Sequence, residues 1–237
     1  APPSSHTLKE CAISFAPDGQ SFATGIGNSL QLWSRTATGT WEASDTKEVP
    51  GSILALAFSP TGDRLACAGR LDHILLWGVA NRRLEGPIRE SEGVLGESIR
   101  ALAFDPDGSL LVSGADDAIA TAWRLPGLDK VSQSNVHERR LTALAFGRRA
   151  GTALIVSGDA EGQLVLCAKT VDDKQCARLG HLGGQEIRGL ATNADFSRLI
   201  VADDGLWVWD LRRQTMLDAV DRLRKPDTQD VSATPPD

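Results

Sequence analysis

Three pairs of adjacent carboxylates, Asp116-Asp117, Asp172-Asp173 and Asp203-Asp204, are the first candidates for chemistry in this 237-residue sequence. Paired acids can move protons or hold a divalent cation. Each pair sits in a polar turn between apolar segments, where Asp is favoured because its side chain hydrogen-bonds its own backbone. Gly25-Ile26-Gly27 contains part of a phosphate-cradling loop, but no helical pattern follows it. Neither a Gly-x-Ser-x-Gly elbow nor a His-Glu-x-x-His pair occurs. His6, His73, His137 and His181 are scattered along the chain, which favours separate hydrogen-bonding roles over one metal site. Cys11, Cys67, Cys167 and Cys176 lack the close spacing of a zinc knuckle or a redox pair. The first three lie in apolar, strand-like stretches, so reduced thiols in a cytoplasmic compartment are expected. These residues predict no catalytic group, no cofactor and no metal: the chain reads as a non-enzyme.

What positions these side chains is a repeat. Ala-Leu-Ala-Phe occurs at 55–58, 101–104 and 143–146, with fainter copies at 12–15 and 189–192. The copies step by 43, 46, 42 and 46 residues. A second ruler, Trp33, Trp77, Trp123, Cys167 and Trp209, steps by 44, 46, 44 and 42. A period of this size marks supersecondary units that bury their apolar faces only by stacking. Within each unit an alternating apolar strand comes first. Pro17-Asp18-Gly19, Pro60-Thr61-Gly62 and Pro106-Asp107-Gly108 then mark turns, since Pro presets one turn angle and Gly accepts a positive φ. A second strand, a polar turn and a third strand follow. The variable stretches after them, such as 35–51 and 126–140, have room for a fourth strand. Paired helices of similar period are excluded by the alternation with period two and the Gly, Pro and Asp in the turns.

The predicted fold is therefore all-β: a β-propeller of five recognisable four-stranded blades, either closed by itself or part of a larger propeller. The blades fall at about 8–50, 51–96, 97–138, 139–184 and 185–222, after an N-terminal lead at 1–7 and before a tail at 223–237. That tail holds prolines and charges with almost nothing apolar and is expected to be disordered. The Ala1-Pro2-Pro3 start, without Met, reads as a piece of a longer chain, and the tail reads as a true chain end. Net charge is −6, without a basic run, so nucleic acid is not an expected partner. No apolar stretch is long enough to span a membrane. The many Arg and Ala residues and the absence of Tyr suggest a GC-rich coding sequence.

These segments resemble the WD-repeat family of propellers, and the likeness runs over nearly the whole chain. Phe104-Asp105-Pro106-Asp107-Gly108, Ser113-Gly114-Ala115-Asp116-Asp117, Trp209-Asp210 and Gly180-His181 carry it. The resemblance implies a buried chain of hydrogen bonds from His through Ser or Thr and Asp to Trp in each blade. Its members here would be Ser113, Asp117 and Trp123 in the third blade, with Leu95 near the His position. In the fourth they would be His137 and Ser157, with Glu161 in place of Asp and Cys167 in place of Trp. In the fifth they would be His181, Asp203 or Asp204, and Trp209. Cys67 stands where Ser is usual in the second. Five blades are fewer than the family commonly has, which leaves a segment of a longer propeller, a tight ring, or an open propeller completed by a partner's strands. The first blade starts with an inner strand and the last ends with an outer one, which favours the segment.

The resemblance further implies a bacterial protein-interaction scaffold or sensor, C-terminal to an upstream effector domain of the same signalling protein. Its partner would be a protein, bound by blade-edge loops. Trp41, in an outer strand, and Arg70, Arg100, Arg139, Arg140 and Arg188, in or beside turns, are the candidate partner-binding residues. Trp207 is expected to pack on the neighbouring blade. The alternatives are a structural subunit completed by a partner's strands and a ligand-binding or catalytic propeller. The latter needs charged groups on inner strands, which here carry Ala, Leu, Ile and Phe.

Overall fold

The alternation read from the sequence becomes five antiparallel sheets because each apolar strand has two faces to bury. The computed structural model describes residues 11–71, 73–84, 97–193, 195–213 and 215–220. The lead at 1–7, the tail at 223–237, His6 and Leu95 lie outside the described residues. Sheet I contains β1 (Cys11–Phe15), β2 (Ser21–Ile26), β3 (Ser29–Arg35) and β4 (Trp41–Glu48). Sheet II contains β5 (Ile53–Phe58), β6 (Arg64–Gly69), β7 (Leu75–Gly78) and β8 (Arg83–Leu84). Sheet III contains β9 (Ile99–Phe104), β10 (Leu110–Ala115), β11 (Ala120–Arg124) and β12 (Asp129–Ser134). Sheet IV contains β13 (Leu141–Arg149), β14 (Thr152–Asp159), β15 (Gln163–Ala168) and β16 (Cys176–His181). Sheet V contains β17 (Gly189–Thr192), β18 (Arg198–Ala202), β19 (Leu206–Asp210) and β20 (Thr215–Val220). In every sheet the strands lie in chain order, each paired with the next, so no strand crosses from one sheet to another. The Pro-x-Gly turns work as expected: Gly19, Gly62 and Gly108 have φ of +63°, +73° and +69°.

Each sheet uses its two faces differently. The face that looks back toward the preceding sheet carries bulky residues, as in Leu56, Phe58, Leu65 and Trp77 of sheet II. The face that looks forward carries smaller ones, as in Ala23, Leu30 and Leu32 of sheet I. These two sets form one buried cluster. The same arrangement recurs between sheets II and III, III and IV, and IV and V. Burial of a large apolar side chain is worth about 1.5–3 kcal/mol, so these four junctions hold the sheets in series. Among the described residues no such cluster joins sheet V to sheet I.

The cysteines correct the expectation of reduced thiols throughout. Cys167 on β15 and Cys176 on β16 are register partners and form a disulfide. Antiparallel pairing brings together side chains nine residues apart, a spacing that no short cysteine motif signals. Cys67 is a buried free thiol, and burial pushes its pKa up to about 12.

Candidate interaction surface

The hydrogen-bonding residues follow the register position by position. The third residue of each second strand's core segment is Thr24, Cys67, Ser113, Ser157 or Val201. Its diagonal neighbour on the third strand is Trp33, Trp77, Trp123, Cys167 or Trp209. Where a hydroxyl meets an indole, a bond forms: Trp33 Nε1 donates to Thr24 Oγ1 at 3.0 Å and Trp123 Nε1 to Ser113 Oγ at 2.8 Å. Where Cys67 or Val201 stands instead, the buried Nε1 of Trp77 or Trp209 has no partner among the described residues. In sheet IV the indole is missing, and Ser157 Oγ lies 2.7 Å from His137 Nε2. His137 Nδ1 in turn lies 3.0 Å from Asp159 Oδ2.

Asp159, and not Glu161 at the position the family pattern implies, supplies the carboxylate of this group. Burial alone pushes its pKa up, but the bond to His137 and the N–H groups of Gln163 and Glu161 outweigh it and hold the carboxyl below the usual range. Glu161 turns outward to Arg139. Ser157, His137 and Asp159 have the connectivity of a nucleophile, base and orienting acid. All three are buried, so Oγ has no approach for a substrate and the group is structural. Asp117 does not join Ser113 and Trp123: it is exposed and caps Ile119 N–H at 2.9 Å, the turn role its sequence context implies. His181 is exposed at the end of β16, and neighbouring Gly180 packs against the Trp209 indole. Trp207 donates to Asp203 and packs with the cluster between sheets IV and V.

The six candidate partner-binding residues separate into two places. Arg100, Arg139, Arg140 and Arg188 lie at the end of the molecule where the innermost strands begin. Arg100 makes a two-pronged pair with Asp116. Arg139 meets Glu161 at 2.6 Å, Arg140 meets Glu186 at 3.1 Å and Arg188 meets Asp204 at 3.0 Å. Arg70 follows β6 at this same end, its N–H donating to Ser52 O. Trp41 stands at the opposite end of sheet I, edge-on to Phe22 at 4.8 Å. Of these arginines, Arg100 and Arg188 line a cavity of about 280 Å³ to which all five innermost strands contribute. Ala12, Leu56, Leu102 and Leu190 line it together with Arg100, Thr142 and Arg188. Among the described residues no group of three or more His, Cys, Asp or Glu could hold a metal ion. Among them, too, no helix is long and apolar enough to cross a membrane.

Residues 43–78 and 89–124 match the family described as WD domain, G-beta repeat. The first match runs from within β4 to the end of β7, so one sequence unit joins the outer strand of a sheet to three strands of the next. The chain is also similar to pre-mRNA-processing factor 19 of Oryza sativa subsp. japonica, 22% identical over 143 residues. That stretch is 60% of this chain and spans 27% of the relative's length. Both likenesses support a WD-repeat family, whose members generally mediate protein–protein interaction.

Proposed function

We propose that this chain is a WD-repeat propeller segment of five blades, at about 8–50, 51–96, 97–138, 139–184 and 185–222, acting as a non-catalytic scaffold or sensor. The observation that carries the reading is the set of arginine–carboxylate pairs at the end where the innermost strands begin, of which Arg100 and Arg188 also line the cavity those strands share. Exposed ion pairs of this kind contribute only about 0–1 kcal/mol each, so a partner's carboxylates can replace the internal ones at little cost. Arg presents a fork of donors suited to that exchange. The partner is a protein with an acidic surface, and an upstream effector domain in a bacterial, cytoplasmic signalling protein fits this role. A subunit completed by another chain's sheet is a second reading, favoured by the exposed apolar side chains of sheets I and V.

The test compares proteins retained by the immobilised chain with those retained by the triple variant Arg139→Glu, Arg140→Glu, Arg188→Glu. A specific partner is expected to be lost from the variant and kept by Trp41→Ala, at unchanged melting temperature. Equal retention by the triple variant would remove these arginines from the binding surface.

A further inference from the structure

Equivalent positions can be read across the five sheets, and one of them carries sulfur where the others carry an indole. The third strands place Trp33, Trp77, Trp123 and Trp209 opposite Ala43, Leu84, Lys130 and Met216 of the fourth strands. Sheet IV places Cys167 opposite Cys176, and the two are bonded. Cys167 and Val171 lie in the buried cluster between sheets III and IV, and Cys176 packs against it. Two small side chains and a covalent link therefore stand where the other sheets have the bulk of an indole.

The link also closes the segment that ties sheet IV to sheet III. Cys167–Cys176 is the last rung of the β15–β16 ladder, and residues 169–175 connect the two strands. From that connection Asp173 Oδ1 accepts the N–H of Asn135 at 3.0 Å, and Thr170 O accepts the hydroxyl of Ser132. Lys169 Nζ reaches the buried Asp105 carboxylate at 3.2 Å. Ser132 lies on β12, Asn135 just after it and Asp105 just after β9. The connection thus clasps the neighbouring sheet, and the disulfide holds the base of the clasp.

The two sulfurs differ in access. Cys167 is 3% exposed. Cys176 is half-buried and, with Asn135, Val136, Glu138, Val165 and Arg178, lines a cavity of about 270 Å³. Ser134 Oγ, itself buried, lies 3.8 Å from Cys176 Sγ and can donate to a thiolate formed there. We propose that this pair is a redox switch: a dithiol reductant entering the cavity opens the clasp between sheets III and IV, and a disulfide oxidant closes it. One thiolate of the reductant attacks Cys176 Sγ and forms a mixed disulfide. The Cys167–Cys176 bond breaks, and its electron pair leaves on Cys167 Sγ, which takes up a proton. The second thiol of the reductant then displaces Cys176, giving two protein thiols and an oxidised dithiol. The proton of each reductant thiol ends on one of the two cysteines. Because the bond is the final rung, the ladder from Gln163 to Leu166 stays paired, and only 169–176 loosens from sheet III. This inference concerns a different part of the molecule from the paired arginines and does not depend on their role.

Hydrogen exchange on the intact chain, oxidised and after dithiothreitol without denaturant, tests it. Quenched alkylation with mass spectrometry is expected to find new thiols at Cys167 and Cys176, beside the already free Cys11 and Cys67. Amides of 169–176 are expected to exchange at least about tenfold faster once the short loop is no longer closed, while β10 and β14 keep their rates. Replacing the reductant with oxidised glutathione should restore both the bond and the slow exchange. Cys176→Ser, at the half-buried site, is expected to show the fast pattern in either reagent. Labelling of the pair only after denaturation, or unchanged exchange at 169–176, would overturn the proposal. Equal loosening of β10 and β14, or failure of the bond to form again, would do the same.

Discussion

Trp77 and Trp209 bury indole N–H groups without an acceptor among the described residues, while Trp33 and Trp123 donate to Thr24 and Ser113. An unsatisfied buried donor costs about 1–3 kcal/mol, and a made bond returns about 1 kcal/mol net. The difference is a single atom at one register position. Val201→Thr keeps the volume and places a hydroxyl where Ser113 has its own, diagonal to Trp209. It is expected to raise the thermal midpoint by about 2–4 °C, the shift that ~1 kcal/mol produces in a chain of this size. Ser113→Val should lower the midpoint by at least as much, because Trp123 Nε1 then loses its acceptor. Scanning calorimetry on the two variants checks both signs. A destabilised Val201→Thr would mean that the hydroxyl does not reach Trp209 Nε1.

At the scale of elements, small residues set how closely sheets approach. A Cβ at Gly158 on β14 would lie 2.8 Å from Ile187 Cγ2 and 2.9 Å from its Cδ1, and Ile187 is fully buried. Gly158→Ala is expected to cost about 1–3 kcal/mol through this overpacking. Gly189→Ala on β17 places its Cβ 3.7 Å from that of Ala202, an ordinary contact, and is expected to be neutral or slightly stabilising. Thermal melts of both variants separate a packing constraint from a general cost of replacing glycine. This level was partly legible from residue order alone. The Ala-Leu-Ala-Phe strands and their Pro-x-Gly turns were visible because one face is buried and the turn needs a positive φ. Outer strands such as β12 and β16 are largely exposed and polar, so they leave no alternation to read. Asp159 was hidden for another reason: its role follows from β14 turning its end toward His137, whereas the spacing in sequence pointed to Glu161. The Cys167–Cys176 pair likewise exists only through the register of β15 and β16.

At the scale of the whole molecule, stability is set by which sheets have two neighbours. In a stacked array each unit gains from its own structure and from each junction it makes. Among the described residues, sheets II, III and IV each make two of the four buried clusters, whereas sheets I and V each make one. Local opening follows the number of buried junctions, so the end sheets should open first. Amide hydrogen exchange on the dilute chain is expected to be fastest in β2 and β18 and slowest in β6, β10 and β14, although all five are second strands of equivalent sheets. Equal protection of β2 and β10 would mean that the end faces are covered within a single chain, and the serial account of stability would fail with it.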